Sequence, residues 1–129
     1  MIKVYVKKQS TYPISTPLIK KKVIKLLEEK GIKSDADLSV TFVGENKMIS
    51  LARKYLKENN IIHNVLSFPF LETDKYFIHA PDNIIHLGDI IVCFPKALEE
   101  AKKEGRLIKD KVIELVEHGA LHLLGEHHE

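Results

Sequence analysis

Four segments of the chain show the apolar pattern of a strand, two by alternation and two as short apolar runs, and each of them is predicted to be a strand. Residues 2–7, IKVYVK, and residues 37–44, DLSVTFVG, show the period of a half-buried strand. Residues 65–70, VLSFPF, form a short apolar run, and Pro69 within it suits a strand end or a sheet edge. Residues 86–94, HLGDIIVCF, form the most apolar run. Residues 71–84 have no clean period and are predicted to form a long loop.

Four other segments repeat apolar residues at helical spacing. In the first, Thr16 is the predicted N-cap, Pro17 takes the first helical position, and Gly31 ends the helix. The second is predicted over residues 45–57, and its predicted core-facing residues are Met48, Leu51, Ala52 and Tyr55. The third runs from Pro95 to Gly105, and the fourth from about Leu107 to Leu124. The order β-α-β-α-β-β-α-α predicts one α+β domain over residues 1–129, with helices packed on a mixed sheet of about four strands.

Composition narrows the class of protein but leaves its partner open. The chain has 129 residues, 44% of them hydrophobic and 29% charged, which indicates an ordinary globular domain. No apolar run is long enough to cross a bilayer, so no membrane association is expected. Cys93 is the single cysteine, which excludes an internal disulfide and favours the cytoplasm. A net charge of +2 does not identify a nucleic-acid binder, and the basic clusters at 20–22 and 53–57 are also typical of solvated helix faces.

The strongest candidate chemistry lies in the last thirteen residues, EHGALHLLGEHHE. His118 and His122 are four apart on the predicted helix, so they present two imidazoles to one point. Gly125 permits the chain to reverse, which would bring His128 to the same point as a third ligand. Three imidazoles leave one tetrahedral position for water or substrate, the pattern of a catalytic zinc. Sequence alone does not separate His127 from His128, and a solvated histidine pair remains the alternative.

A zinc peptidase is a weaker interpretation of the same histidines. The metalloprotease signature places a glutamate directly after the first histidine as general base. Here that position is Gly119, and Glu117 would point about 100° away from His118 on the helix.

Three segments together resemble a known family. HGALHLLGEHH is similar to the YbeY signature His-Gly-x-Leu-His-Leu-x-Gly-Tyr-Asp-His, and NVLSFPF at 64–70 and LGDIIVC at 87–93 match in the same order. The resemblance implies a zinc-dependent single-strand endoribonuclease of the cytoplasm, acting in ribosome biogenesis and 16S rRNA 3′-end maturation. It also implies one Zn²⁺ per chain and a zincin-like motif helix. Its implied partners are single-stranded RNA or rRNA and ribosomal subunits or ribosome-associated proteins, with no DNA expected.

The resemblance also implies roles for individual residues. His118, His122 and His128 would be the zinc ligands, and His118, His122 and Ser67 would be catalytic. Gly88 and Asp89 would stabilise the floor of the site.

The chain departs from the family pattern at two places. Tyr55 is followed by Leu56 where the family has an arginine, and Arg53, Lys54 and Lys57 are out of register with it. Glu126-His127 replaces the signature's Tyr-Asp. Two other functions therefore stay open: a ribosome-associated binding factor with a mainly structural metal, and a metallohydrolase of another substrate class.

Overall fold

The computed structural model describes residues 1–70 and 84–125, and it contains one four-stranded mixed sheet. The strands β1 (Ile2–Lys7), β2 (Ala36–Val43), β3 (Val65–Pro69) and β4 (Ile85–Cys93) lie in the order β1-β2-β4-β3. β1 and β4 both run parallel to β2, whereas β3 pairs antiparallel with β4. β3 is thus at the edge, as Pro69 predicts, because proline cannot donate a ladder hydrogen bond.

In the part of the chain that the structure describes, four helices connect and cover the strands, so the predicted element order and the α+β class are confirmed. They are α1 (Thr16–Glu29), α2 (Glu45–Leu56), α3 (Phe94–Glu104) and α4 (Ile108–Gly125). Among the described residues, no helix is both long enough and apolar enough to cross a membrane. The predicted long loop lies almost entirely at residues 71–83, outside the described residues.

The two faces of the sheet differ in what covers them. α1 and α4 pack on one face, the helix-covered face, where Val4, Val40 and Ile90 meet Val23 and other core residues of both helices. The opposite face, which we call the open face, receives α2 near one end, where Met48 packs on Val43 and Cys93. The remainder of the open face presents mixed polar and aromatic side chains, beginning with Tyr5, which is 51% exposed.

Two predicted helix details are wrong. Ser15, not Thr16, caps α1: its backbone is extended and its hydroxyl accepts a hydrogen bond from the Leu18 amide at 3.3 Å. Thr16 is already helical, and Pro17 is tolerated beside it because amides of the first turn have no partner within the helix. Tyr55 does not face the core: its side chain is 54% exposed and packs on Phe68 of β3 with ring centroids 5.1 Å apart.

A β-bulge in β4 determines which side chains reach each face. Asp37 pairs with His86 but Leu38 pairs with Gly88, so Leu87 is an extra residue in the ladder. Gly88 has φ +137°, and a Cβ there would lie 2.3 Å from the Phe68 carbonyl oxygen, so only glycine fits. After the bulge the alternation is shifted by one residue, and the next side chain, Asp89, points to the open face.

Candidate active site

His118 and His122 lie on the exposed side of α4 with their ring nitrogens together. The two Nε2 atoms are 3.1 Å apart and the ring centroids are separated by 4.6 Å. Two imidazole nitrogens at 2.0–2.1 Å from a tetrahedral zinc would be about 3.3–3.4 Å apart. The pair is therefore close to the spacing that two ligands of one metal ion need, as the four-residue spacing predicts.

The third predicted ligand cannot be placed, because His128 lies outside the described residues together with Glu126 and His127. Within residues 1–70 and 84–125, no group of three or more histidine, cysteine or acidic side chains is arranged to hold a metal. The described chain thus supplies two nitrogen donors, and three-histidine coordination stays a prediction.

A close approach of α4 to the sheet fixes the position of the histidine pair. A Cβ at Gly119 would lie 2.7 Å from Ile90 Cγ2 and 3.1 Å from Ser67 Oγ, so the helix lies against β3 and β4 with no space for a side chain. The Ser67 hydroxyl donates a hydrogen bond of 3.1 Å to the Gly119 carbonyl oxygen. A glutamate at this position would collide with Ile90, which also explains why the peptidase general base is missing there.

The histidine pair opens onto a cleft of about 590 Å³ between α4 and the edge strand β3. Ser67, Pro69 and Asn64 line the strand side, and Leu115, Glu114 and Lys111 continue the helix side away from the histidines. The cleft is thus a groove along the sheet edge with the histidine pair at one end. Ser67 lines the same cleft as His118 and His122, and its catalytic role stays a prediction.

The far end of the cleft contains a network of paired charges. The side chain of Lys111 is 7% exposed, and its Nζ lies 3.1 Å from Glu104, 3.4 Å from Glu114 and 3.5 Å from Glu100. Burial alone would lower the pKa of Lys111, but the hydrogen bond that Lys111 donates to Glu104 and the three nearby carboxylates together raise that pKa above its ordinary value. Lys111 therefore carries a positive charge that the three carboxylates balance, so it is not available as a strong phosphate ligand.

Glu114 is held as a carboxylate by the same network. Arg106 donates a 2.7 Å hydrogen bond to it, and this bond, with the neighbouring Lys111 charge, lowers the pKa of Glu114. A general base works best with a pKa near neutral pH, so a carboxylate with a lowered pKa is poorly suited to that role. Cys93 offers no nucleophile either, because burial raises the pKa of its thiol.

Several residues singled out in the sequence lie elsewhere. Gly88 packs closely against α4, because a Cβ at this position would lie 3.0 Å from the Leu123 side chain. Asp89 is on the open face, so its predicted place in the floor of the histidine cleft is wrong. The bulge in β4 changes the alternation of side chains, and the Asp89 side chain therefore points away from that cleft. Leu56 is 42% exposed at the end of α2. Arg53 and Lys54 do not line the described part of the histidine cleft.

Lys111 and Glu114 were not predicted as cleft residues, although the spacing along the helix offered a signal for Glu114. Glu114, His118 and His122 follow one another at four-residue intervals, which puts them on one stripe of a helix. The pairing of Lys111 depends on how α3 packs against α4, which no local pattern shows.

Comparison with known proteins agrees with this architecture. The family model described as "Endoribonuclease YbeY" matches residues 5–129. An "Endoribonuclease YbeY" of Macrococcus caseolyticus is 34% identical over 87% of this chain and 71% of its own length, and one of Dehalococcoides mccartyi is 33% identical over 99% and 78%. The solution structure of TM1509 from Thermotoga maritima superposes with a TM-score of 0.59 at 25% identity, covering 98% of this chain and 75% of that one. The chain therefore belongs to the YbeY endoribonuclease family.

Proposed function

We propose that this protein is a zinc-dependent endoribonuclease that cuts single-stranded RNA and acts in ribosome biogenesis, with 16S rRNA 3′-end maturation as its reaction. The observation that carries the proposal is the 3.1 Å separation of the His118 and His122 Nε2 atoms at one end of an open cleft. The family assignment supports ribonuclease activity, and the free, buried Cys93 suits the cytoplasm.

The metal would be held by His118, His122 and the predicted third ligand His128. Imidazole nitrogens suit zinc, and the spacing of the described pair fits two positions of a tetrahedral ion. The chemistry that zinc supplies when bound is polarisation of a phosphoryl oxygen and a lowered pKa, to about 7, of a water molecule. Because both rings are exposed, a metal ion would reach the two Nε2 atoms from the cleft.

The protein's own residues orient this site. Because α4 touches the sheet at Gly119, the pair has a fixed distance from β3, where the RNA backbone would pass. Ser67 donates its hydroxyl hydrogen to the Gly119 carbonyl oxygen, so that hydrogen is already used and the oxygen lone pairs remain. We therefore infer that Ser67 positions the helix and accepts a hydrogen bond, for example from a ribose hydroxyl.

Metal content and RNA cleavage measured on the same samples test the proposal. Zinc-reconstituted wild type should contain about one zinc per chain and cut an unstructured RNA. The variants His118→Ala and His122→Ala should lose both properties. His63→Gln is the matched control, because His63 pairs with Glu58 through a 3.0 Å contact and does not line the histidine cleft. Cleavage that persists undiminished in His118→Ala would refute the proposed chemistry.

The third ligand is tested by two further variants. If His128 completes the site, His128→Ala should lose zinc while His127→Ala keeps it. The opposite result would reassign the ligand to His127 and leave the two-histidine pair intact. Zinc retained in both variants would overturn three-histidine coordination.

A second function, a ribosome-associated binding factor with a structural metal, is favoured by the charges around the cleft. Lys111 is the cation that lines the described cleft, and three carboxylates neutralise it. Leu56 stands where the family has an arginine, and a leucine cannot make a bidentate phosphate contact. Stoichiometric association with ribosomal subunits, without turnover on RNA, would support this alternative. If wild type does not cut RNA and Leu56→Arg does, the missing arginine is the reason that wild type binds without cutting.

A further inference from the structure

One row of side chains crosses the open face from strand to strand. The pairing register places Tyr5 beside Ser39, Ser39 beside Asp89, and Asp89 beside Phe68. Residues in register across adjacent strands point to the same face, with neighbouring strands about 4.8 Å apart. The row therefore runs aromatic, hydroxyl, carboxylate, aromatic over three strand spacings, about 14 Å.

Aromatic rings are exposed at both ends of this row. Tyr5 is 51% exposed on β1. At the other end Tyr55 of α2, 54% exposed, packs on Phe68 with ring centroids 5.1 Å apart. Solvent-accessible rings on a sheet face are the platform on which unpaired nucleobases stack.

Lysines flank the aromatic positions. Lys3 and Lys7 lie two residues on either side of Tyr5, so all three share the open face. Lys54 Nζ lies 5.1 Å from the centre of the Tyr55 ring. Positive charge beside a stacking ring is what a nucleic-acid backbone needs, since each contacted phosphate releases a counterion.

The middle of the row offers hydrogen bonds to a base edge. Ser39 donates its hydroxyl to the Asp89 carboxylate, which leaves that carboxylate further lone pairs for the amino group of a base. A cleft of about 590 Å³ lined by Lys7, Ser39, Tyr55 and Asp89 encloses this position. Its volume falls in the range of about 300–1,000 Å³ that small-molecule-sized groups occupy.

We infer that the open face of the sheet is a second binding surface for single-stranded RNA, separate from the histidine cleft. Unpaired bases stack on Tyr5 and on the Tyr55–Phe68 pair, and the flanking lysines contact the backbone. A protein partner fits less well, because lysines are depleted from the centre of protein interfaces and here they alternate with the aromatic residue. The inference rests on the proposed function in one respect, that RNA is the ligand.

Direct binding measurements test the surface separately from catalysis. The host is the full chain carrying His118→Ala, so that bound RNA is not cut, and the probe is an unstructured, fluorescein-labelled RNA of about 12 nucleotides. Fluorescence anisotropy should show Tyr5→Ala weakening binding by about fivefold to a hundredfold, the range for one lost base stack. Tyr5→Phe, which keeps the ring, should bind like the host.

The lysines are tested by salt dependence. Lys7→Ala should reduce the slope of log affinity against log salt concentration by about 0.7, the value for one phosphate on a single strand. Lys21→Ala, an exposed lysine on α1, is the matched charge control and should leave the slope unchanged. Leu107→Ala, at an exposed apolar residue just before α4, is the control for Tyr5→Ala.

The outcomes separate this inference from the proposed function. If Tyr5→Ala and Tyr55→Ala bind RNA as tightly as Leu107→Ala, the open face is not an RNA surface, whatever the histidines do. If these variants instead stop binding a ribosomal protein that wild type binds, while their RNA affinity stays constant, the surface belongs to a protein partner and the inference is overturned. If wild type binds RNA through this face but never cuts it, the proposed nuclease function fails and the inference stands.

Discussion

Gly119→Ala should destabilise the protein, although glycine to alanine normally stabilises a helix. The helix propensity gain is about 1 kcal/mol. Against it, the new Cβ would lie 2.7 Å from Ile90 Cγ2 and 3.2 Å from Ile90 Cγ1. Because Ile90 is fully buried, this overpacking falls in the upper part of the range of about 1–3 kcal/mol. We expect a net loss of about 1–2 kcal/mol in the free energy of unfolding.

Urea unfolding of wild type, the two single variants, the double variant and one control variant measures the size and origin of this loss. Ile90→Ala alone should cost about 2–5 kcal/mol, because it leaves a cavity in the core. In the double variant the Cβ of residue 119 occupies part of that cavity, so the two changes should cost at least about 1 kcal/mol less together than their sum. Gly44→Ala is the control substitution, since a Cβ there meets its nearest neighbour, the Tyr12 hydroxyl, at 3.8 Å. A Gly119→Ala protein as stable as wild type, or more so, would refute the close approach.

Three further substitutions have definite expected outcomes. Gly88→Ala should cost more than Gly119→Ala, about 3 kcal/mol or more, because it combines a φ of +137° with a Cβ 2.3 Å from a backbone oxygen; equal urea midpoints for the two variants would contradict this. Ser67→Ala should cost about 1 kcal/mol through its lost hydrogen bond, with unchanged zinc content; zinc loss would indicate a role beyond positioning. Hydrogen bonds from Lys111 and Arg106 lower the pKa values of Glu104 and Glu114. These pairs therefore stabilise the protein at pH values above the ordinary carboxyl pKa of 4.5, and their contribution is lost as the pH falls through the lowered pKa values. The urea midpoint should fall between pH about 6 and about 3, and fall less in Lys111→Met; an equal fall in both proteins would contradict the charge network.

Local patterns predict the elements of this fold well where one physical signal dominates. Alternation identified β1 and β2, whose buried residues do alternate along most of each strand. Gly105 ends α3 in the left-handed conformation, with φ +66°. Pro69 predicted an edge strand because it removes a ladder donor. Each of these signals depends on the residue itself or on a short-range period.

Features that depend on pairing between distant segments were not predictable from local patterns. The bulge before Gly88 arises from the register between β2 and β4, and it reverses the face to which every later residue of β4 points. Asp89 therefore points to the open face and not to the floor of the histidine cleft, where the family resemblance implied it, although its strand was identified correctly. The pairing of Lys111 is a similar case, since it requires α3 and α4 to be in contact. The histidine pair, by contrast, follows from the geometry of a single helix.

The Gly119→Ala variant also distinguishes the functions of the two faces. The added Cβ pushes α4 away from β3 and β4, so His118 and His122 move relative to Ser67, while Tyr5 on β1 is separated from that contact by β2 and stays in place. At temperatures where the variant is folded, RNA cleavage should fall because positioning the reacting groups is worth several kcal/mol of barrier. RNA affinity at the open face should stay within about twofold of wild type, since its stacking and phosphate contacts are unaltered. A parallel loss of cleavage and affinity in a protein that remains folded would mean that the RNA uses one continuous surface, and the two-face interpretation would be wrong.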